Sequence, residues 1–199
     1  YLLEICDLYV HSLLNVDKNC IDFTSDQVIA LKAERVYKYT RSRIKWHLDN
    51  GHKVIFISGS PNFLVEKMAK KYNATDFAGS NYVFEDGRFN GTVIPMWDST
   101  SKNLAIDNFV EKYNIDLSKS YAYGDTNGDI TMLRRVGNPV AINPTNELVN
   151  HMSKDKELKE KALQSMGFYD ENNMLANGAV LFQDDYQGKK TEIKCSVFS

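Results

Sequence analysis

A chain of 199 residues, 43% hydrophobic and 25% charged, has the composition of an ordinary globular protein and enough length to bury a core. Its formal net charge of −2 gives no electrostatic reason to expect nucleic acid or an anionic membrane as partner. No apolar run is long enough to span a bilayer, and Cys6, Cys20 and Cys195 are odd in number and lack metal-ligand spacing, which fits a reduced cytoplasm.

The sequence opens at Tyr1 inside a helical pattern, with Leu2, Ile5, Tyr9 and Leu13 at helix spacing, and reads as a piece of a longer protein. Asn15 to Asn19 form a polar break. A second helical region is expected from about Ser25 to Leu48, closed by Asp49-Asn50-Gly51 as a C-cap. His47 and His52 flank that cap and read as solvated surface histidines. Arg35, Lys38, Arg41, Arg43 and Lys45 make the helix basic, but without interleaved aromatics this is a solvated face and not a nucleic-acid site.

From Lys53 the rhythm changes to strand and helix in alternation. Val54-Ile55-Phe56-Ile57 is continuous β-branched and aromatic sequence, as a buried parallel strand requires. Ser58-Gly59-Ser60-Pro61 follows, with Ser60 expected as N-cap and Pro61 as the first residue of a helix carrying Phe63, Val65, Met68, Ala69 and Tyr72. A hydroxyl at Ser58, beside Gly59 and a helix N-terminus, suits an oxyanion or phosphate. The same residues also describe a plain capped turn. Asp76 to Ala78 predicts a short strand, and Tyr82-Val83-Phe84 with Phe89 to Ile94 around Asp86-Gly87 predicts a tight hairpin. Ser101-Lys102 then opens a helix, and a Lys in a first turn opposes the helix dipole. Such a local conflict marks either a functional position or an ordinary exposed lysine.

The most informative stretch is Tyr121-Ala122-Tyr123-Gly124-Asp125-Thr126-Asn127-Gly128-Asp129. Its first half is a buried strand, Asp125 stands at the strand's carboxyl end, and Asp129 follows at the start of a helix stopped by Gly137. Two carboxylates there suit a hard cation with oxygen ligands such as Mg²⁺. A turn with one Asp capping the helix uses the same residues. A calcium loop fails, because the Gly is misplaced and Val136 stands where its terminal Glu belongs. Val140-Ala141-Ile142 adds a strand and Asn143-Pro144-Thr145 starts another helix. The order is α/β with a parallel sheet.

Ser58 after a strand, Lys102 at a helix start and Gly124-Asp125-x-x-x-Asp129 after a second strand resemble, in order and spacing, the second, third and fourth motifs of the haloacid dehalogenase superfamily. The resemblance runs from about Val54 to Asn150, and the preceding helices look like the cap of its phosphoserine-phosphatase-like branch. It implies a Rossmann-like parallel sheet with flanking helices and a Mg²⁺-dependent phosphatase working through an aspartyl-phosphate. In that scheme Ser58 and Gly59 bind the phosphoryl group, Lys102 neutralises its charge and that of the nucleophile, and Asp125 binds the metal, with Asp129 beside it or holding a coordinated water. Ser58, Lys102 and Asp125 are then expected to converge at the carboxyl edge of one sheet. The implied partner is a small phosphorylated metabolite.

Two features depart from the family pattern. Its opening motif, Asp-x-Asp-x-Thr, is not present among these 199 residues; Asp7, Asp17, Asp22 and Asp26 do not have the spacing. The nucleophile and the general acid would both reside there. Phosphoserine phosphatases also have Asn before the last Asp of the fourth motif, where Gly128 stands here. The expected layout is a helical cap segment over 1–50, an α/β core over 51–162 and a β-rich appendage over 163–199. Leu175-x-Asn177-x-x-x-Leu181-Phe182 in the appendage resembles an element of bacterial ATP-binding regulators or helicase-like proteins, with no chemical motif attached. Besides the phosphatase, two alternatives stand: a module that binds Mg²⁺ and phosphate without turnover, and a regulator whose C-terminal strands form a partner interface.

Overall fold

A computed structural model describes residues 2–166 and the strands at 179–184 and 190–195, with side-chain detail over 4–162. The chain divides into two compact units, Tyr1–Val36 with Thr40–Asp98, and Tyr37–Tyr39 with Ser99–Ser199.

The first unit begins with α1 (Leu2–Leu13) and turns at Asn15, whose φ is 62°. Asp17 then caps α2 (Lys18–Lys32) by accepting the Asn19 N–H at 2.8 Å, so this helix starts well before Ser25. It does not continue to Leu48 as expected; α3 (Lys38–Asp49) is separate. The reason is that side chains take the carbonyls a continuing helix would need. The Tyr72 hydroxyl donates to Ala33 O at 2.6 Å and Arg41 Nη2 to Glu34 O at 2.6 Å.

The C-cap after α3 forms as expected. Gly51 has a φ of 71°, its N–H reaches Leu48 O, and the His52 N–H reaches His47 O at 2.9 Å. That turn corrects the reading of His47, while His52 is exposed as expected. It folds the His52 ring onto His47, with the two Nδ1 atoms 2.9 Å apart, and Trp46 meets both rings edge-on. His47 is buried at 8% exposure, and burial, helped by Arg43 and His52, pushes its pKa down to about 4. Its unfolded value is near 6.5, so the unfolded chain takes up this proton first as pH falls. The stability held by neutral His47 is full above pH 6.5 and erodes toward pH 4. Melting curves across that window should show the loss, and His47→Gln should flatten it.

β1 (Ile55–Pro61) pairs in parallel with β2 (Asp76–Glu85), whose second half pairs antiparallel with β3 (Arg88–Ile94). The two short segments expected at 76–78 and 82–84 are thus one strand. Asp86 and Gly87, with φ of 48° and 76°, make the left-handed two-residue turn that a hairpin favours. β1 stays extended through Pro61, which pairs with Ser80, and α4 (Asn62–Lys71) begins one residue later. Ser60 is therefore a strand residue and not the N-cap; Pro61 holds that place and makes no side-chain cap bond. Phe89, Tyr82 and Ile21 form the buried centre, with Leu13, Phe63 and Val93 against it. Backbone bonds from Asn15 to Phe89, Phe89 to Val16 and Lys18 to Gly87 stitch the helical segment to β3.

The second unit contains α5 (Ser99–Tyr113), β4 (Tyr121–Gly124), α6 (Ile130–Arg135), β5 (Asn138–Ala141), α7 (Asn146–Lys154) and α8 (Lys156–Met166). β4 and β5 are parallel, in register from Tyr121↔Asn138 to Gly124↔Ala141. Leu133, Leu148, Met152 and Leu158 are almost completely enclosed and pack with Ala122, Ile130, Val136 and Ala141. Burial of such side chains is the main stabilising contribution here, about 1.5–3 kcal/mol each. The architecture is α/β, with parallel strand pairs and flanking helices. β6 (Ala179–Asp184) and β7 (Lys190–Cys195) pair antiparallel. The polar stretch expected at 167–173 and the turn from Met174 lie outside the described residues. Among the described residues no helix is long and apolar enough to cross a membrane.

Candidate functional site

In the second unit the carboxyl end of β4 is where the chemistry gathers. The strand stops at Gly124, a single 3₁₀ turn covers Asn127–Asp129, and α6 follows directly. Asp129 is buried and every part of its carboxylate is engaged. Oδ1 accepts from Lys102 Nζ at 2.7 Å, across 27 residues of sequence. Oδ2 accepts from the N–H groups of Asp125 and Thr126 and from the Thr126 hydroxyl, each at 3.2 Å. The loop donors do what a capping turn would do; the ammonium from α5 is more than a turn requires.

Gly124 makes this packing possible. A Cβ there would lie 2.6 Å from Asp129 Cβ and 2.9 Å from its Cγ, so only glycine lets the carboxylate fold back beneath the strand end. Lys102 sits in the first turn of α5 and is itself buried at 8% exposure. The unfavourable dipole at that position is answered by Asp129. Burial pulls the Asp129 pKa up, but the Lys102 hydrogen bond and charge, with the N–H groups of Thr126 and Asp125, outweigh it and hold the group below its ordinary value. The Asp129 side chain is thereby held as a carboxylate.

Asp125, by contrast, is exposed at the end of β4. Its backbone carbonyl accepts the Thr145 N–H at 2.8 Å, while Gly124 O accepts the Ile142 N–H at 2.9 Å, which ties this loop to the one after β5. Three enclosed side-chain atoms of the two loops have no hydrogen-bond partner: Asn127 Oδ1, and both Nδ2 and Oδ1 of Asn143. Asn127 uses its Nδ2 on Glu147 at 3.1 Å. In the sequence Asn127 figures only in the calcium-loop pattern that fails, and Asn143 only in a helix start; the signal available for Asn143 is its place directly after a strand on the carboxyl side.

Ser58 and Gly59 belong to the first unit. Ser58 lies within β1, half-buried, and its Oγ accepts the Ser60 N–H at 3.2 Å, leaving the hydroxyl proton to donate. Gly59 lies against the Trp97 backbone and Cβ, and its carbonyl accepts the Ser80 hydroxyl at 2.8 Å. Lys102 and Asp129 are the predicted residues brought into direct contact, and Asp125 joins them through its N–H.

Among the described residues no three His, Cys, Asp or Glu side chains gather as a metal cage. A hard cation that keeps most of its water does not need one. An exposed Asp beside enclosed, unpartnered carboxamide oxygens is a donor set of the right chemistry for Mg²⁺.

Comparison with known proteins bears on the family and the fold. Phosphoserine phosphatase SerB1 of Mycobacterium tuberculosis is 31% identical over 120 residues, which is 60% of this chain and 38% of the relative. A histidinol-phosphatase of Neisseria meningitidis is 27% identical over 133 residues, 64% of this chain and 57% of the relative. The chain thus spans well under two thirds of the length of either. A solved phosphoserine phosphatase carrying an analogue of its phospho-aspartyl intermediate superposes with a TM-score of 0.56 at 19% identity, over 73% of this chain and 67% of that one, a likeness of fold. The family profile of the haloacid dehalogenase-like hydrolases matches residues 9–134, taking in Ser58, Lys102 and the whole Gly124–Asp129 loop. By that match and that fold, the chain belongs to the haloacid dehalogenase-like hydrolases.

Proposed function

We propose that this chain carries the phosphoryl- and metal-handling part of a Mg²⁺-dependent phosphomonoesterase that acts through an aspartyl-phosphate. The observation that carries the reading is the buried Lys102–Asp129 pair clamped under the Gly124–Asp125 turn. A turn that only connects β4 to α6 has no use for a buried ammonium from another helix. A site that must stabilise a phosphoryl group and a carboxylate nucleophile has that use.

Asp125 is the carboxylate that would hold Mg²⁺, which when bound supplies Lewis-acid stabilisation to the phosphoryl oxygens. Asp129 would act on the cation only indirectly, by fixing the Asp125 and Thr126 backbone and keeping Lys102 in place. Ser58 would donate its hydroxyl proton to a phosphoryl oxygen. The carboxylate nucleophile and general acid would come from an Asp-x-Asp-x-Thr segment of the complete protein. Relatives named for phosphoserine and histidinol phosphate support a small phosphorylated metabolite as substrate class. The free thiols Cys6 and Cys20 are consistent with a cytoplasmic setting. The layout of cap segment (1–50), core (51–162) and appendage (163–199) goes with this reading.

Mn²⁺ titration by calorimetry or paramagnetic relaxation tests the metal assignment. The chain should bind weakly, and Asp125→Asn should lower the affinity by about tenfold or more. Equal binding by wild type and variant removes Asp125 from the site. A module that binds cation and phosphate without turnover is the second reading; it would share the Asp125 result and differ in the turnover experiment argued below.

A further inference from the structure

Asn143 is built into the second unit in a way that its neighbours do not explain. Both polar atoms of its carboxamide are enclosed and without a hydrogen-bond partner. An enclosed amide costs free energy unless something pairs with it. Its backbone is also unusual: φ is 45°, and Pro144 follows, a context that normally pushes a residue into extended conformation. Asn15, Asn73 and Asn114 have positive φ as well, but each sits just past the end of a helix, where a left-handed residue is routine. Asn143 follows a strand. An unpaired amide and a strained backbone at one residue point to a role beyond folding.

Its position defines that role. β4 and β5 run parallel and end side by side, at Gly124 and Ala141. Two backbone bonds then bracket Asn143: Ile142 N–H to Gly124 O at 2.9 Å and Thr145 N–H to Asp125 O at 2.8 Å. Asn143 is therefore held at the carboxyl edge of the strand pair, beside Asp125. Glu147, in the first turn of α7, is already used by Asn127. A carboxamide offers one acceptor and two donors. The acceptor suits a water polarised by a cation, and the donors suit a carboxylate or phosphoryl oxygen.

We infer that Asn143 is a positioning residue for the cation held at Asp125, its carboxamide fixing the cation's hydration water. The inference rests on the cation reading of Asp125 given above. It differs from a purely structural water in one respect: removing the carboxamide must weaken the cation more than it weakens the fold.

The test uses the full 199-residue chain with Mn²⁺ alone as probe, in wild type, Asn143→Gly, Asn143→Asp and Asp125→Asn. Glycine keeps the left-handed backbone while deleting the carboxamide, and Asp keeps an oxygen at the same place. Asn143→Gly should weaken Mn²⁺ by about tenfold, the scale of losing a group that orients a metal's ligands. Its metal-free melting temperature should be unchanged or higher, since an unpaired buried amide is gone. Asn143→Asp should bind Mn²⁺ at least as tightly as wild type. A lower metal-free melting temperature in Asn143→Gly, with Mn²⁺ affinity unchanged in the folded fraction, would make the amide a structural prop and overturn the inference. Unchanged affinity in Asn143→Gly, together with loss in Asp125→Asn, overturns it while leaving the cation reading intact. Wild-type affinity in Asp125→Asn removes both.

Discussion

Under the proposed phosphatase reading, Lys102→Ala in the chain joined to the family's opening motif is expected to lower kcat on phosphate esters by about 10²-fold or more, the scale of losing one preorganised transition-state charge contact. The same ammonium is half of a buried ion pair, so the substitution also acts on stability. Removing one member leaves Asp129 charged and enclosed, at a cost of about 3–5 kcal/mol. The two effects separate by pH. With Lys102 present, Asp129 titrates below its unfolded value of 3.8, so the pair's contribution is present above pH 3.8 and is lost as pH falls further. Without Lys102, burial, which raises the Asp129 pKa, is opposed only by the Thr126 and Asp125 donors. Lys102→Met should therefore be much less stable than wild type near pH 7 and recover part of the difference on acidification. Denaturant melts at pH 7 and near pH 4 check this. Equal differences at both would mean that the carboxylate is not held charged by Lys102.

The second large effect is the appearance of turnover. The 199 residues contain no Asp-x-Asp-x-Thr run, and Ser58, whose hydroxyl is engaged with the Ser60 N–H, has no base beside it in sequence to make it a nucleophile. This chain should not hydrolyse p-nitrophenyl phosphate above background with Mg²⁺ present. Joined in cis to a strand carrying the family's opening motif, it should do so, and replacing the first Asp of that motif should abolish the rate. Phosphatase activity in the chain alone, lost with Ser58→Ala, would make Ser58 the nucleophile and overturn the aspartyl-phosphate reading. A joined protein that binds Mn²⁺ but leaves a broad panel of phosphate esters untouched would favour the non-catalytic module.

Much of the local structure was legible because it depends on neighbours in sequence. Asp86-Gly87 between two alternating runs gives the hairpin, since both residues tolerate the left-handed backbone the turn needs. Gly51 ends α3 and Thr145 caps α7, with its Oγ1 accepting the Leu148 N–H, for similarly local reasons. The failures were places where a distant group intervened. Helical propensity continues past Ala33, but the Tyr72 hydroxyl, 39 residues on, takes the Ala33 carbonyl and the helix breaks. Ser60-Pro61 has the composition of a helix start, yet pairing of Pro61 with Ser80 keeps the chain extended. His47 stands just before a polar C-cap in sequence, and the turn at Gly51 returns His52 to it while Trp46 meets both rings.

The candidate site divides along the same line. The residue types and spacing of Ser58, Lys102 and Gly124-Asp125-x-x-x-Asp129 sufficed for the family, because phosphoryl transfer needs particular groups after particular strands. Sequence also fixed the α/β class, through strands and helices in alternation. The resemblance puts the metal on Asp125, with Asp129 beside it or holding a coordinated water, but it does not say what Asp129 itself meets. Gly124 lets Asp129 fold beneath the strand and meet Lys102, and Asp125 is left facing solvent. Asn143 was no more visible, since its unpaired amide exists only once β4 and β5 end side by side. Spacing along a chain selects which groups are available, but burial and long-range pairing decide what each carboxylate meets.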